Sequence, residues 1–80
     1  MTPSIKQLRY ICAVAEHRHF SKAAESCFVT QSTLSAAIQE LESQLGVVIF
    51  ERSKKNVLIT PLGDRLLDQA RLILGDVEDF

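Results

Sequence analysis

One stretch, from Val29 to Gly46, constrains the fold more than any other part of the chain. Thr30 can accept a hydrogen bond from an unpaired N–H in the first turn of a helix. Gly46 is the kind of residue that ends a helix in the left-handed conformation. Between them, large aliphatic side chains recur at helical spacing and make one apolar face: Leu34, Ile38, Leu41 and Leu45. The stretch therefore predicts one amphipathic helix whose start, buried face and end are all specified.

The opposite face of this helix is uncharged near its start. Its side chains are polar and short or of medium length: Gln31, Ser32, Thr33, Ser35 and Gln39. A face that only meets water is normally rich in charged residues. Side chains that donate and accept hydrogen bonds at fixed positions are suited to base edges in the major groove of DNA. The pattern indicates a helix that reads DNA.

Two helices are predicted before this one. Ser4 and Gln7 have the spacing of a capping box, and the apolar positions after them predict a helix over residues 4–16. Ser21 is interpreted as the N-cap of a short helix over residues 22–27. Two helices joined by a tight turn form the arrangement in which the second helix lies in the major groove of DNA. Any small helical bundle can also contain two helices joined by so short a turn.

The pattern changes after the central helix. Two short runs rich in β-branched residues, Val47–Phe50 and Val57–Ile59, enclose a charged segment and predict a β-hairpin. A hairpin of this size must pack on the helices to be stable. Arg52 at its base and Lys54 and Lys55 at its tip are candidates for phosphate contacts or for entry into a minor groove. A charged turn that serves solubility alone would give the same pattern.

The last segment predicts a long helix, since Thr60 followed by Pro61 is a strong helix start. Apolar side chains then follow at coiled-coil spacing and define a candidate dimerisation seam: Leu62, Leu66, Ala70, Ile73, Val77 and Phe80. Such a helix extends about 30 Å, more than so small a core needs, so a second copy of the chain is expected to pack on it. Packing wholly inside the monomer is the alternative. The apolar pattern continues to Phe80, which predicts a fragment of a longer protein.

The net charge of −1 is unevenly distributed along the 80 residues. Residues up to Thr60 carry seven basic and five acidic side chains, whereas two basic and five acidic ones follow from Pro61 onward. The acidic segment can therefore point away from a polyanion, but neither part is strongly basic. No apolar run approaches the ~20 residues needed to span a bilayer, and no signal-peptide pattern opens the chain. We expect a cytoplasmic protein that does not bind membranes.

The cysteines and histidines do not form a recognisable chemical site. Cys12 and Cys27 lack metal-ligand spacing, and both fall on helical apolar faces, so two reduced core thiols are expected. His17 and His19 flank Arg18 in a turn and are expected at the surface or as caps. No metal, cofactor or catalytic activity is predicted. The alternative of a redox enzyme would require an exposed thiolate with a low pKa.

Taken together, the motifs of nearly the whole chain resemble those of the LysR-type transcriptional regulators. The matching segments, in order, are Ala15–His17, Phe20–Ala24, Val29–Gln31, Leu34–Ser35, Leu41–Glu42, Leu45–Gly46, Phe50–Arg52 and Thr60–Gly63. Within that family, Glu16–Phe20, Ala23–Cys27 and Asp68–Arg71 are most similar to the peroxide-sensing OxyR group.

The resemblance implies a mainly α fold with three helices and a β-hairpin wing. A winged helix-turn-helix is expected over residues 1–60, with the helix-turn-helix at about 20–39 and the wing at about 48–60. A linker and dimerisation helix is expected over residues 61–80. A C-terminal effector domain is expected outside this sequence. The implied partners are double-stranded DNA with two-fold related half-sites and a second copy of the chain, with a tetramer in the full-length protein.

The resemblance also places the functional residues. It assigns to DNA the start of the recognition helix, the start of the second helix and the wing arginine: Gln31, Ser32, Thr33, Ser35, Ser21, Lys22 and Arg52. Gln39 joins them from the polar face of the central helix, and Lys54 and Lys55 join them by charge. This sequence differs from the usual family pattern in two places. Many members have Pro at the position of Ser32, and many have longer side chains at the positions of Ala36 and Ala37. In the peroxide-sensing group the redox cysteines lie in the effector domain, so the cysteines here do not inherit that role. A LysR-type regulator of another pathway, or a pure dimerisation module, is the alternative.

Overall fold

The computed structural model describes residues 2–53 and 56–80, so Lys54 and Lys55 at the expected wing tip lie outside the described residues. The elements are α1 (Ile5–His17), α2 (Phe20–Ser26), α3 (Gln31–Leu45), β1 (Phe50–Arg52), β2 (Val57–Ile59) and α4 (Pro61–Asp79). Three helices, an antiparallel hairpin and a long final helix confirm the mainly α, winged helix-turn-helix fold. Within the described ranges, no helix is long and apolar enough to cross a lipid bilayer.

The starts of α1 and α3 follow the sequence closely. Ser4 Oγ accepts a hydrogen bond from Gln7 N at 3.1 Å, and Gln7 Oε1 accepts one from Ser4 N at 2.9 Å, which completes the capping box. Thr30 Oγ1 accepts from Thr33 N at 3.2 Å. Gly46 ends α3 with φ of 67°, a left-handed conformation that glycine adopts without steric cost. These caps confirm the predicted limits of the central helix.

Thr60 joins the start of α4 to the segment that precedes the wing. Its Oγ1 accepts from Gly63 N at 3.0 Å and donates to the Val48 carbonyl at 2.6 Å, while its N–H donates to the Ile49 carbonyl at 3.0 Å. Gly63 packs so closely that an added Cβ would lie 2.6 Å from the Ile49 oxygen. The first turn of α4 is therefore fixed against the connection between α3 and β1.

The predicted start of α2 is wrong. The N-cap is His19 rather than Ser21, and its Nδ1 accepts a hydrogen bond from Lys22 N at 3.1 Å. The ring nitrogen does what a hydroxyl usually does at this position. The earlier start brings Phe20 into the first turn of α2, where its side chain is buried.

The first strand also begins later than predicted. Glu42 Oε2 of α3 accepts hydrogen bonds from Ile49 N at 2.6 Å and from Phe50 N at 3.2 Å. Because Glu42 binds this backbone, Val47–Ile49 form a connection rather than a strand. The hairpin register pairs Phe50 with Ile59, Glu51 with Leu58 and Arg52 with Val57.

α1 lies at the centre of the core and packs against α2, α3 and α4. The largest fully buried side chains come from these helices and from the residue before the wing: Ile11, Val14, Leu34, Leu41, Ile49 and Leu67. Cys12 and Cys27 are only half-buried and pack against the margin of this core. They are therefore not the core thiols expected from the sequence.

α4 divides its apolar side chains between the core and the surface. Leu67 and Ala70 are buried, with Ala70 only 1% exposed, and Leu66 is half-buried against the core. Ala70 thus belongs to the chain's own core, because α4 covers α1 with part of the stripe that was expected to form a seam. The seam positions left exposed are Leu62, Ile73, Val77 and Phe80.

Candidate nucleic-acid interface

The start of α3 presents polar side chains to solvent. Four of the five predicted positions are exposed and Ser35 is half-buried: Gln31, Ser32, Thr33, Ser35 and Gln39. Thr30 Oγ1 donates to Thr33 Oγ1 at 3.0 Å, which leaves the Thr33 hydroxyl proton available as a donor. This surface can both donate and accept hydrogen bonds, which base-edge recognition requires.

A hydrogen bond joins the starts of α2 and α3. Ser21 Oγ donates to Gln31 Oε1 at 3.1 Å. Because the oxygen of the Gln31 amide is occupied, its NH2 group remains free to donate to a ligand. Lys22, the next residue along α2, is exposed. The two helix starts therefore form one continuous polar surface.

Arg52 at the end of β1 is held against both helices. Its Nη2 donates to Ser35 Oγ at 3.2 Å, and its Cζ lies 3.5 Å from the centre of the Phe20 ring. Phe20 in turn meets the Phe50 ring edge-on, with centroids 6.2 Å apart and planes at 81°. A guanidinium over an aromatic face is favourable, and the rest of its N–H donors remain unused by these contacts. Arg52 is therefore positioned before any ligand arrives.

Arg52 lines two cavities. The first, here called the α2–wing cavity, has a volume of about 360 Å³ and is lined by Arg18, His19, Phe20, Ser21, Gln31, Arg52, Ser53, Asn56 and Val57. The second has a volume of about 240 Å³, and its lining includes Ser35, Gln39, Glu42 and Arg52. The structure thus brings Ser21, Gln31, Ser35 and Gln39 together around Arg52. Ser32 and Lys22 line neither cavity.

Arg18 and His19 were not predicted as site residues. Arg18 ends α1 in the left-handed conformation, with φ of 53°. Its Nε donates to the Ala15 carbonyl at 3.3 Å, and its Nη1 donates to the Val57 carbonyl at 3.4 Å. The second contact joins residues 39 positions apart, so no local sequence signal could have found it. The prediction of a capping histidine nearby is confirmed for His19.

Ser53 and Asn56 close the described part of the wing. Ser53 N donates to the Asn56 carbonyl at 2.9 Å, and Asn56 N donates to Ser53 Oγ at 3.1 Å. These reciprocal bonds hold the ends of the two strands together. They place Asn56 in the same cavity as Arg52.

The Cys12 thiol does not fit nucleophilic chemistry. Burial raises the pKa of the Cys12 thiol, and the nearby Arg71 charge only partly opposes this. A raised pKa disfavours the thiolate that a redox enzyme would need. Across the part of the chain that the structure describes, no three His, Cys, Asp or Glu side chains cluster in a way that could hold a metal ion.

The fold and this interface define a class of protein. A helix-turn-helix whose second helix starts with uncharged polar groups, next to a wing with a fixed arginine, is a DNA-binding module. Residues 5–64 match the family model for the bacterial regulatory helix-turn-helix protein, lysR family. The chain belongs to this LysR family and contains its DNA-binding helix-turn-helix domain.

Individual relatives agree with this assignment. The chain is 49% identical over 78 residues to the HTH-type transcriptional regulator EstR of Acinetobacter baylyi, covering 98% of this chain and 26% of EstR. It is 51% identical over 75 residues to the DNA-binding transcriptional dual regulator OxyR of Escherichia coli, covering 94% of this chain and 25% of OxyR. The chain thus spans about a quarter of these curated relatives.

A solved structure gives the same result. The crystal structure of a CbnR_DBD–DNA complex superposes with a TM-score of 0.90 at 37% identity, covering 95% of this chain and 87% of that one. Its close match supports the assignment of the fold over nearly the whole chain.

Proposed function

We propose that this chain binds double-stranded DNA sequence-specifically, as the reading domain of a bacterial transcriptional regulator acting in the cytoplasm. The observation that carries the proposal is the fixed position of Arg52, between the Phe20 ring and the Ser35 hydroxyl. This places a cation beside the polar start of α3 without further ordering of its side chain. Less conformational entropy is then lost on binding.

The roles divide between α3 and its neighbours. Gln31, Thr33 and Gln39 read base edges, since they are exposed and can donate or accept. Ala36 and Ala37 provide no long side chain there, so affinity depends on phosphate contacts made elsewhere. Those phosphate contacts come from Ser21 and Lys22 at the start of α2, from Arg52, and by charge from Lys54 and Lys55. Ser32 and Ser35 belong to the DNA-facing start of α3.

Salt dependence of binding tests the phosphate contacts. The dissociation constant for a duplex selected from a random library is measured by fluorescence anisotropy between about 50 and 200 mM salt, where each phosphate contact should contribute roughly 3.5-fold. Arg52→Ala should flatten the logarithmic slope by about 0.9. Arg71→Ala is the matched control, because Arg71 pairs with Asp68 on α4, away from this interface. Wild-type affinity that is indifferent to salt would overturn the proposal.

Base reading is tested separately from affinity. Gln31→Ala should relax the preferred sequence in a randomised-site selection, because it removes the free amide donor at the start of α3. Gln44→Ala is the control, since Gln44 lies near the other end of α3 and donates to Glu40 Oε1 at 3.3 Å. An unchanged preference in Gln31→Ala would contradict the base-reading role.

The exposed face of α4 supports a homodimer on two-fold related half-sites, and a tetramer in a full-length protein with an effector domain. Ile73 lines two apolar hollows, one of about 400 Å³ that also includes Leu66 and one that also includes Val77 and Phe80. Leu62 completes the exposed part of the proposed seam, whereas Ala70 is buried in the chain's own core and supports the seam only by holding α4 in place. Ile73→Glu should give monomers in sedimentation analysis. Leu72→Glu, one residue away on α4 and about 100° around it, should not.

We further propose that the regulator acts in the peroxide response. The support is the 51% identity to OxyR of Escherichia coli, whereas the 49% identity to EstR favours a regulator of another pathway as the alternative. The test uses a full-length regulator containing this domain and measures transcription from its bound promoter with and without hydrogen peroxide. A peroxide-independent transcript level would favour the alternative.

A further inference from the structure

We propose that the α2–wing cavity is a binding site for a single phosphate of the DNA backbone, and that Arg18 and His19 form it together with Arg52. The inference rests on the proposed DNA-binding function and adds the turn between α1 and α2 to the contact surface. Neither residue was predicted to face DNA. The shared ligand chemistry is a phosphate anion, whether in a duplex or free in solution.

The charge of the cavity favours an anion. Of the described lining residues, Arg18 and Arg52 carry positive charge and none is a carboxylate. The remaining polar lining groups are neutral and include Ser21, Gln31 and Asn56. Both guanidinium groups are held by contacts within the chain, so the cavity does not depend on mobile side chains. Guanidinium groups that are held in place and not paired with an acid favour the binding of a phosphate, because charge-assisted hydrogen bonds to its oxygens are strong.

Arg18 is held in a way that leaves donors for a ligand. Its Nε and Nη1 donate to the carbonyls of Ala15 and Val57, one at the end of α1 and one in β2. A guanidinium has further N–H donors that these two bonds do not use. Among the described residues, Arg18 donates to two backbone carbonyls and forms no ion pair with a carboxylate. The side chain therefore joins the helical domain to the wing and still offers charge to an anion.

His19 supplies a neutral donor. Its Nδ1 accepts from Lys22 N at 3.1 Å, so the ring proton is carried by Nε2. The ring belongs to the lining of the same cavity as Arg18. The residue thus caps α2 with one nitrogen and can donate to a phosphate oxygen with the other.

The location of the cavity favours a duplex phosphate over a free anion. Ser21 and Gln31 in its lining join the starts of α2 and α3, and Arg52 connects it to Ser35 on α3. A phosphate bound there would lie next to the groove that the start of α3 reads. Backbone contacts of this kind fix the register of a protein on DNA.

Two variants separate the charged donor from the neutral one. Arg18→Gln should reduce the logarithmic salt slope by about 0.9 and weaken duplex binding roughly tenfold. His19→Asn keeps an acceptable N-cap but removes the Nε2 donor, so it should weaken binding about threefold without changing the slope. Arg71→Gln is the control for loss of one positive charge and should leave the slope unchanged.

The DNA phosphate that binds in the cavity is identified by replacing one backbone phosphate of the duplex at a time with an uncharged methylphosphonate. One position should weaken wild-type binding and leave Arg18→Gln binding unaffected. If the variant does not fold, as judged by circular dichroism, the Arg18 Nε–H NMR signal of the wild type is followed instead. It should shift on binding the native duplex and not on binding the duplex neutralised at that position.

The outcomes distinguish this inference from the proposed function. Salt-dependent wild-type binding with an unchanged slope in Arg18→Gln would overturn the phosphate site and leave DNA binding intact. A titration with inorganic phosphate tests whether the cavity binds a free anion instead. If inorganic phosphate shifts the Arg18 signal and no neutralised duplex position does, the cavity holds a free anion and the assignment to DNA is wrong.

Discussion

The guanidinium carbon of Arg52 lies 3.5 Å from the centre of the Phe20 ring, so the base of the wing rests on the first turn of α2. Phe20→Leu keeps an apolar side chain but removes the aromatic face. We expect it to weaken duplex binding by about 0.5–1 kcal/mol, which anisotropy titration measures. In an Arg52→Ala background the same substitution should have almost no effect on affinity. An equal effect in both backgrounds would show that Phe20 acts through stability alone.

Glu42 should be important for the stability of the connection before the wing. Its carboxylate accepts from Ile49 N and Phe50 N, and both N–H groups lose their acceptor in Glu42→Ala. Leaving such donors unpaired costs about 1–3 kcal/mol each, so the free energy of unfolding should fall by roughly 2–6 kcal/mol in urea denaturation. Glu40→Ala is the control on the same helix, since Glu40 only accepts from Gln44 at the surface. Equal losses in the two variants would contradict this role.

The two glycines of α4 should respond to alanine in opposite directions. At Gly63 an added Cβ would lie 2.6 Å from the Ile49 carbonyl oxygen, whereas nothing lies within 4 Å of a Cβ at Gly75. Gly63→Ala should therefore lower the free energy of unfolding by about 1–3 kcal/mol. Gly75→Ala should raise it by up to about 1 kcal/mol, because alanine is the better helix former. Thermal unfolding followed by circular dichroism checks both, and a destabilised Gly75→Ala would contradict the argument.

Phe28 adopts an unfavourable backbone conformation without burial to compensate. Its φ is 58°, and its side chain is 95% exposed in the turn between α2 and α3. Asparagine tolerates this conformation better, so Phe28→Asn should stabilise the chain by roughly 1 kcal/mol. Val48→Asn is the control, because Val48 is also an exposed apolar residue but is not in the left-handed region. An equal gain in both variants, measured by urea denaturation, would show that replacing an exposed apolar side chain with a polar one causes the effect, and not the backbone conformation of Phe28.

Features set by neighbouring residues were predictable from the sequence. Thr30, Gly46 and Thr60 limit their helices through contacts within three or four positions, and such contacts can be read directly from spacing. The same local logic failed at α2, because a histidine nitrogen rather than the Ser21 hydroxyl accepts the capping bond. Residue type alone does not say which of two nearby acceptors the backbone will use.

Features set by distant contacts were not predictable. The displaced start of β1 depends on Glu42, seven positions before Ile49, and the place of Arg18 in the cavity depends on the Val57 carbonyl. Periodicity identified the apolar stripe of α4, but it could not show that Ala70 faces α1 while Ile73 faces solvent. Both positions belong to one stripe, and which of them the core covers depends on how α4 packs against the rest of the chain.

Thr60 is the single residue between β2 and α4, and its three hydrogen bonds leave no slack at this junction. A flexible linker would absorb a displacement of the far end of α4. Here the bonds to Val48 and Ile49 fix the first turn of α4, a helix about 28 Å long, beside the start of β1, and Leu67 and Ala70 bury its middle in the core. Any displacement of the wing would therefore have to move the start of α4 with it.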